Sequence, residues 1–303
     1  MKSLFANGKV LLTGEYAVLD GAKALGLPTK HGQYFHIEKT NSNEIAWNSY
    51  DVENQIWFSA RYRASDFQVI SSSDIDKANF VKSLFLASAI QKTPIQYDNG
   101  LKLTCTLTFP RNWGLGTSST LISNFAKWLG LDPFQLLQDT MGGSGYDIGC
   151  ADSKQPILYR LVDGVANVNS TPFKPSFQNN LFFIYLNQKQ NSRNGIASYR
   201  QINSGKEKFV SEISQITMDI LKTDGQEGFN RLIDLHEDIT SNYLQMEKVK
   251  DQRFSQFKGS IKSLGAWGGD FCLASSHEGV EYITKYFTGK GYKTVIPYED
   301  LVL

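Results

Sequence analysis

The stretch that decides the fold reads Leu101-Lys-Leu-Thr-Cys-Thr-Leu-Thr-Phe109, and Pro110-Arg-Asn-Trp-Gly-Leu-Gly-Thr-Ser-Ser-Thr120 follows it at once. Apolar residues occupy every second position of the first part, which predicts a strand with one buried face. The second part is a glycine-rich loop that leads into an amphipathic stretch ending at Leu129-Gly130. A strand, a glycine loop and a helix in this order direct backbone N–H groups and the helix dipole toward an anion. We therefore predict an anion-binding loop over residues 114–120.

Three hydroxyl residues, Thr117, Ser118 and Ser119, open the predicted helix. Side chains of this kind cap a helix, contact a phosphate or ligate Mg²⁺. The loop lacks the Gly-Lys-Ser/Thr ending of a Walker loop and also lacks a Gly-x-Gly-x-x-Gly run. Taken alone, the pattern fits a capped helix after a tight turn as well as it fits a phosphate loop.

Two further glycine-rich stretches read Met141-Gly-Gly-Ser-Gly-Tyr-Asp-Ile-Gly-Cys-Ala151 and Ser263-Leu-Gly-Ala-Trp-Gly-Gly-Asp-Phe-Cys272. Asp147 in the first is either a general base or cation partner, or the cap of the next helix. The second is either a bend between elements or a loop that closes on a ligand. Lys9, at the start of an apolar run, has the same ambiguity, since such a lysine is usually solvated.

Composition narrows the class of protein. The 303 residues include 31 Lys+Arg and 30 Asp+Glu, a formal net charge of +1, which argues against a nucleic-acid-binding chain. With 41% hydrophobic residues, the chain is able to form a sizeable core and is long enough for two domains. Its three scattered cysteines indicate reduced thiols, not zinc ligands. We find no membrane-spanning run and no signal peptide, and expect a cytoplasmic protein.

The order of predicted elements mixes strands and helices, which indicates an α+β protein. Strands are predicted near residues 34–39, 55–62, 101–109 and 181–186, and helices over residues 74–91, 117–129, 133–140, 206–222 and 228–247. Residues 163–180 are rich in Asn, Ser, Pro and Thr and read as a connection. We place an N-terminal domain over residues 1–175 and a C-terminal domain over residues 176–303.

Three segments together resemble the signature motifs of the GHMP kinases. They are Gly8-Lys9 with Gly14-Glu-Tyr-Ala-Val-Leu19, the Pro-x-x-x-Gly-Leu-Gly-x-Ser-Ser loop, and the late Gly-Ala-x-Gly-Gly loop. Their order and spacing extend the resemblance over essentially the whole chain. The resemblance implies an N-terminal domain similar to ribosomal protein S5 domain 2 and a ferredoxin-like C-terminal domain. It also implies that ATP and Mg²⁺ are bound and that a small-molecule acceptor is phosphorylated.

Within this family the wording is most similar to the mevalonate-pathway members. The segments that resemble phosphomevalonate kinase are Gly14-Glu-Tyr-Ala-Val-Leu19, Gly143-Ser-Gly-Tyr-Asp-Ile148 and Gly268-Gly-Asp270. The second of them also resembles a branch named for its Gly-Tyr-Asp-Ile motif. The resemblance implies phosphorylation of phosphomevalonate in isoprenoid precursor synthesis by a monomer or homodimer. The alternatives are mevalonate kinase, a sugar or amino-alcohol kinase, diphosphomevalonate decarboxylase, and a catalytically silent ligand-binding homologue.

The resemblance also implies site residues. Asp147 matches the catalytic aspartate, Lys9 the lysine that lowers the acceptor pKa or stabilises transferred charge, and Ser118 the serine that helps to hold Mg²⁺. The implied ATP-binding residues are Gly114, Leu115, Gly116, Thr117, Ser118 and Ser119. The implied substrate-binding residues are Glu15, Tyr16, Ser144, Gly145, Arg193, Ala266, Trp267 and Gly268.

The sequence departs from the family pattern at several positions. Trp267 stands where the third motif has a glycine, so its ring either narrows the cleft, stacks on a base or lies in the core. Gln138 and Asp139 are the candidates for a second Mg²⁺ ligand. A phosphomonoester acceptor needs additional cations, and the candidates are Lys30, His31, Arg193 and Lys262. His236 and Glu237 lie among apolar neighbours and are interpreted as structural.

Overall fold

The computed structural model describes residues 1–91, 100–188, 192–202 and 204–303. Their contacts form two compact units. Unit 1 comprises Met1–Gly8, His31–Arg111 and Leu115–Asp152, and unit 2 comprises Lys9–Lys30, Asn112–Gly114 and Ser153–Leu303. The units interleave along the chain because strands β1 (Lys2–Thr13) and β2 (Ala24–Lys39) each contribute to both. The domain boundary expected between residues 175 and 176 stays a prediction.

Unit 1 packs helices against a sheet in the order β5-β4-β3-β6-β2. Its further strands are β3 (Glu44–Tyr50), β4 (Ile56–Arg63), β5 (Val69–Ser72) and β6 (Leu101–Leu107). Its helices are α1 (Ile75–Gln91), α2 (Thr117–Leu129), α3 (Pro133–Thr140) and α4 (Tyr146–Ala151). β3 and β6 are parallel, and the other neighbouring pairs in this order are antiparallel.

The alternation predicted for β6 is confirmed. Leu101, Leu103, Cys105 and Leu107 are all buried, and the residues between them are more exposed. The buried face contributes to one core in which rings from β2, β3, α1 and α2 meet. Helix α1 begins where predicted, since Asp74 Oδ1 accepts the N–H of Lys77 at 3.1 Å as an N-cap.

Unit 2 contains a four-stranded antiparallel sheet in the order β10-β11-β9-β12. The strands of this sheet are β9 (Leu181–Tyr185), β10 (Ser260–Ser263), β11 (Phe271–Ser275) and β12 (Val295–Pro297). Unit 2 also contains β7 (Ile157–Val162) and β8 (Val165–Ser170), which lie outside this sheet. Its helices are α5 (Ser192–Arg200), α6 (Lys206–Ile220), α7 (Gln226–Leu244), α8 (Val249–Arg253), α9 (Gly279–Gly289) and α10 (Tyr298–Leu301). Every residue of β9 is buried, as its continuous apolar run predicts.

Part of the predicted connection is a strand. Residues 165–170 form β8, which pairs with β7 in a hairpin, and the first residues of β2 pair with β7 on its other side. The Asn- and Ser-rich sequence of β8 did not predict a strand. Most of its side chains are exposed, so the strand forms without an alternation of apolar residues. No helix of the described residues is long and apolar enough to cross a membrane.

Candidate active site

The loop after β6 ends in a helix start that suits an anion. Gly114 and Gly116 have positive φ angles of 67° and 94°, a backbone region that favours glycine. Gly116 is the N-cap of α2 and has no side chain to cap the helix. The Ser119 and Thr120 hydroxyls each donate to the Gly116 carbonyl oxygen at 3.0 Å, so they are turned back onto the loop. The N-terminal end of α2 therefore lacks a capping side chain. Its first-turn N–H groups and the positive end of its dipole suit an anion at this end.

Two other motifs contact this loop at Gly114, within unit 2. Lys9 Nζ donates a hydrogen bond to the Gly114 carbonyl oxygen at 2.9 Å. The carboxylate of Asp270 packs against the Cα of Gly114, because a Cβ placed there would lie 2.4 Å from Asp270 Oδ2. One residue from each of the three predicted motifs therefore meets at a single point.

The third loop is tightly folded between β10 and β11. Gly265, Gly268 and Asp270 have positive φ angles of 67°, 93° and 51°. The Leu264 N–H donates to the Phe271 carbonyl oxygen at 3.2 Å and closes the loop at its base. Trp113, which precedes Gly114 in the chain, packs its ring edgewise on Phe271 at a centroid distance of 5.6 Å.

Trp267 lies in the packed interior of unit 2. Its side chain is 1% exposed and belongs to an apolar cluster with Tyr16 and Ala17 of the first motif. Its indole Nε1–H donates to Glu237 Oε1 at 3.1 Å. The core placement that the sequence left open is therefore the one that the structure has. Ala266 and Gly268 flank this buried anchor in the loop.

Glu15, His236, Glu237 and Lys262 form what we call the buried ion cluster, and all are at most 1% exposed. Lys262 Nζ lies 2.7 Å from Glu15 Oε1 and 3.9 Å from Glu237 Oε1. His236 Nε2 lies 3.3 Å from Glu15 Oε2 and accepts the N–H of Gly14 at 3.3 Å. Lys262, a candidate for the acceptor phosphate in the sequence, is thus paired in the core.

Burial changes the acidity of these groups. It raises the pKa of Glu15 to about 7, although the neighbouring Lys262 opposes the rise. Burial likewise raises the pKa of Glu237, and it holds the pKa of His236 well below its ordinary value, with Lys262 adding to that effect. His236 is therefore neutral, and Glu15 changes its charge close to neutral pH.

Asp147 occupies the first turn of α4, after Gly145 with a φ of 84°. Its Oδ1 accepts the N–H of Ile148 at 3.1 Å. The loop before Asp147 is attached to α3 by a hydrogen bond. The side-chain amide of Gln138 donates to the Gly143 carbonyl oxygen at 3.0 Å. Ser144 in this loop is 8% exposed.

The candidates for a second Mg²⁺ ligand have partners within unit 1. Gln138 holds the second loop, and Asp139 accepts from the Gln135 side-chain amide at 2.7 Å. Among the residues that the structure describes, no three His, Cys, Asp or Glu side chains form a metal cage. A Mg²⁺ ion bound with a nucleotide takes most of its ligands from phosphate and water, so a single protein hydroxyl fits it. The partly exposed Ser118 at the start of α2 offers such a hydroxyl.

The first motif also contacts α5. A Cβ at Gly195 would lie 2.3 Å from the hydroxyl oxygen of Tyr16, so this helix passes close to that ring. Tyr16 has a positive φ of 60°, and burial raises its pKa to about 12. Arg193 is on the same helix, and its side chain lies outside the described residues. Lys30 donates to the Glu299 carbonyl oxygen at 2.5 Å.

The sequence matches no protein-family model and no curated protein. Solved structures do match. Methanococcus jannaschii mevalonate kinase has 16% identity and a TM-score of 0.68, over 97% of this chain and 96% of that chain. Streptococcus pneumoniae phosphomevalonate kinase, solved with phosphomevalonate and AMPPNP, has 14% identity and a TM-score of 0.70, over 97% and 98%. Lactococcus lactis galactokinase, complexed with galactose, has 14% identity and a TM-score of 0.68, over 98% and 93%. The chain therefore has the two-domain α+β fold of the GHMP kinases, as the sequence predicts.

Proposed function

We propose that this protein is an ATP-dependent kinase that transfers the γ-phosphoryl group to a small-molecule acceptor. The observation that carries the proposal is the meeting of Lys9 and Asp270 at Gly114, which precedes the first residue of α2 by three positions in the chain. The fold supports it, because the mevalonate, phosphomevalonate and galactose kinases that share it act on small molecules.

The phosphate loop is proposed to bind the nucleotide through its backbone. The N–H groups of residues 114–119 and the positive end of α2 would contact the ATP phosphates. The Ser118 hydroxyl would hold Mg²⁺, which when bound neutralises charge on the phosphates. Lys9 would add positive charge next to the same loop, since its ammonium group is fixed on Gly114.

Asp147 is proposed to orient the acceptor hydroxyl and accept its proton. Phosphoryl transfer depends on positioning and charge neutralisation more than on covalent chemistry. Tyr16, Ser144, Gly145, Arg193, Ala266 and Gly268 are proposed to shape the acceptor side of the site, and the buried Glu15 and Trp267 are proposed to support these residues from the core. We further propose a monomer or homodimer that acts in the cytoplasm without nucleic acid or membrane partners.

Phosphomevalonate is the acceptor that we propose first, because the amino-acid sequences of the second and third glycine-rich loops favour it. Lys262 does not serve a phosphomonoester, since it is buried against Glu15. His31 and Arg193 remain as candidate cations for an acceptor phosphate. Mevalonate is the second candidate, and sugars and amino alcohols follow.

The test is ADP release by the purified protein with ATP and Mg²⁺ across phosphomevalonate, mevalonate, galactose and homoserine. Turnover with one acceptor identifies the substrate. Asp147→Asn is the matched control, and it should lose about 10²–10³ in rate while it still binds nucleotide. Release of carbon dioxide from a diphosphate substrate would favour the decarboxylase, and nucleotide binding without turnover of any acceptor would favour a binding protein. Absence of nucleotide binding would refute the proposal.

A further inference from the structure

The buried ion cluster joins the first motif to the third glycine loop. On one side, His236 and Lys262 contact Gly14 and Glu15 of the first motif. On the other side, the carboxylate of Glu237 accepts the indole N–H of Trp267 at 3.1 Å and the hydroxyl of Ser263 at 2.9 Å. The bridging residues come from one turn of α7 and from β10, so these two elements hold both motifs.

Burial of so many ionisable groups is expensive in free energy. Each buried charge costs several kcal/mol, and well-packed apolar residues of similar volume are often at least as stabilising. The cluster is therefore poorly explained by stability alone. What it does provide is directional contact, because each carboxylate fixes a different loop while both face the same ammonium group of Lys262.

We propose that Glu237 and Lys262 are positioning residues which hold the third glycine loop and the first motif in the geometry that nucleotide binding requires. This inference rests on the proposed function. Glu237 acts through Trp267, whose ring anchors the loop that ends at Asp270 on Gly114. Lys262 acts through Glu15, which belongs to the first motif. Lys9 and Val10 lie six and five residues before Glu15 in the same segment.

The cluster also stores a proton close to neutral pH. The charged or titratable groups that face Glu15 are Lys262 from β10, His236 and Glu237 from α7, and the adjoining Tyr16. With His236 neutral, two carboxylates share one ammonium group, which leaves one excess negative charge. Glu15 Oε2 is buried, lies 3.3 Å from His236 Nε2 and forms no hydrogen bond within the described part of the chain, so we assign the proton to this atom.

The first test compares two buried tryptophans. Trp267→Phe removes the N–H that reaches Glu237, and Trp47→Phe removes an equally buried N–H that donates to Ser49 Oγ at 3.0 Å in unit 1. Both variants lose similar volume and one hydrogen bond. Only Trp267→Phe should raise the Kd of Mg-ATP, by about tenfold, because only it releases the third loop. Equal effects of the two variants on that Kd would overturn the inference.

The second test uses charge and has two opposite outcomes. Glu237→Gln removes a negative charge that raises the pKa of Glu15, so the midpoint of the pH dependence of Mg-ATP affinity should move to lower pH. Lys262→Met removes the positive charge that lowers this pKa, so the midpoint should move to higher pH. A purely structural role would weaken binding without moving either midpoint, and that result would overturn the inference.

The third test needs no nucleotide and separates this inference from the proposed function. Amide hydrogen exchange of the loop over residues 264–270 should accelerate about tenfold in Trp267→Phe and not in Trp47→Phe. Faster exchange in a protein that binds no nucleotide would refute the kinase and keep the anchoring of the loop. Unchanged exchange in a protein that does bind nucleotide would refute the positioning role and keep the kinase.

Discussion

At the scale of single residues, Gly114 is the position of the candidate site where a substitution should be tolerated least. Its φ of 67° favours glycine, its carbonyl oxygen accepts from Lys9, and the carboxylate of Asp270 occupies the space of a Cβ. The motif wording predicted a glycine loop. The reason for this particular glycine is a contact with a residue more than a hundred positions away, which no local pattern contains.

Gly114→Ala should weaken Mg-ATP binding more than it weakens the fold. The new Cβ must displace Asp270, whereas Gly164→Ala has a similar φ of 78° with no atom within 4 Å and isolates the backbone strain. Both variants should lose about 1 kcal/mol of stability from strain. Calorimetric titration with Mg-ATP should show a raised Kd in Gly114→Ala alone, and equal affinities would remove Gly114 from the site.

Glu15 should make stability depend on pH. Its pKa is raised from 4.5 to about 7, so the folded state binds a proton more tightly than the unfolded state does. The stabilisation is complete below the unfolded pKa and is lost as the pH rises through about 7. Relative to Glu15→Gln, the wild type should lose about 3 kcal/mol between about pH 4 and about pH 8.

Urea unfolding of both proteins across this range measures the difference. The titration of His236, which acts in the opposite direction, is common to both proteins and largely cancels. Parallel curves for the two proteins would mean that Glu15 stays ionised throughout and that the cluster stores no proton.

At the scale of elements, helix α2 separates two neighbouring serines by role. The Ser119 hydroxyl is buried and donates to the Gly116 carbonyl oxygen, whereas Ser118 is partly exposed at the same helix start. The sequence predicted the helix and its hydroxyl residues. The resemblance assigned Mg²⁺ to Ser118, but the run of hydroxyl residues by itself does not distinguish a serine that stabilises the loop from one that is available to a metal, because that depends on how the first turn is oriented.

Ser118→Ala should raise the Mg²⁺ concentration required for half-maximal turnover and leave the thermal midpoint nearly unchanged. Ser119→Ala should lower the thermal midpoint and leave the Mg²⁺ requirement nearly unchanged, since it removes a loop hydrogen bond of about 1 kcal/mol. Turnover at a series of Mg²⁺ concentrations, together with thermal unfolding of both variants, measures the two effects. A Mg²⁺ requirement that rises only in Ser119→Ala would assign the metal to the other hydroxyl.

At the scale of the whole molecule, ligand binding should raise the free energy of unfolding. A ligand that binds only the folded state adds about 2.7 kcal/mol at a hundred times its Kd. Mg-ATP at saturation should therefore raise the thermal midpoint, and removal of Mg²⁺ with EDTA should reverse most of the increase. Thermal unfolding with ATP, with Mg-ATP and with Mg²⁺ alone measures this, and equal stabilisation by ATP with and without Mg²⁺ would argue against a metal in the complex.

The sequence alone determined the fold class and the order of the motifs, because strand alternation, helix caps and glycine loops are local in the chain. The apolar alternation of β6, the cap at Asp74 and the run of β9 all have the predicted structure. Only the tertiary structure decided where Trp267 and Lys262 lie. A tryptophan or lysine is compatible with a cleft or a core, and the choice depends on distant partners: the carboxylate of Glu237 for the indole, and that of Glu15 for the ammonium group. Burial of a charge is stable only when such partners are in place, and tertiary packing is what brings them together.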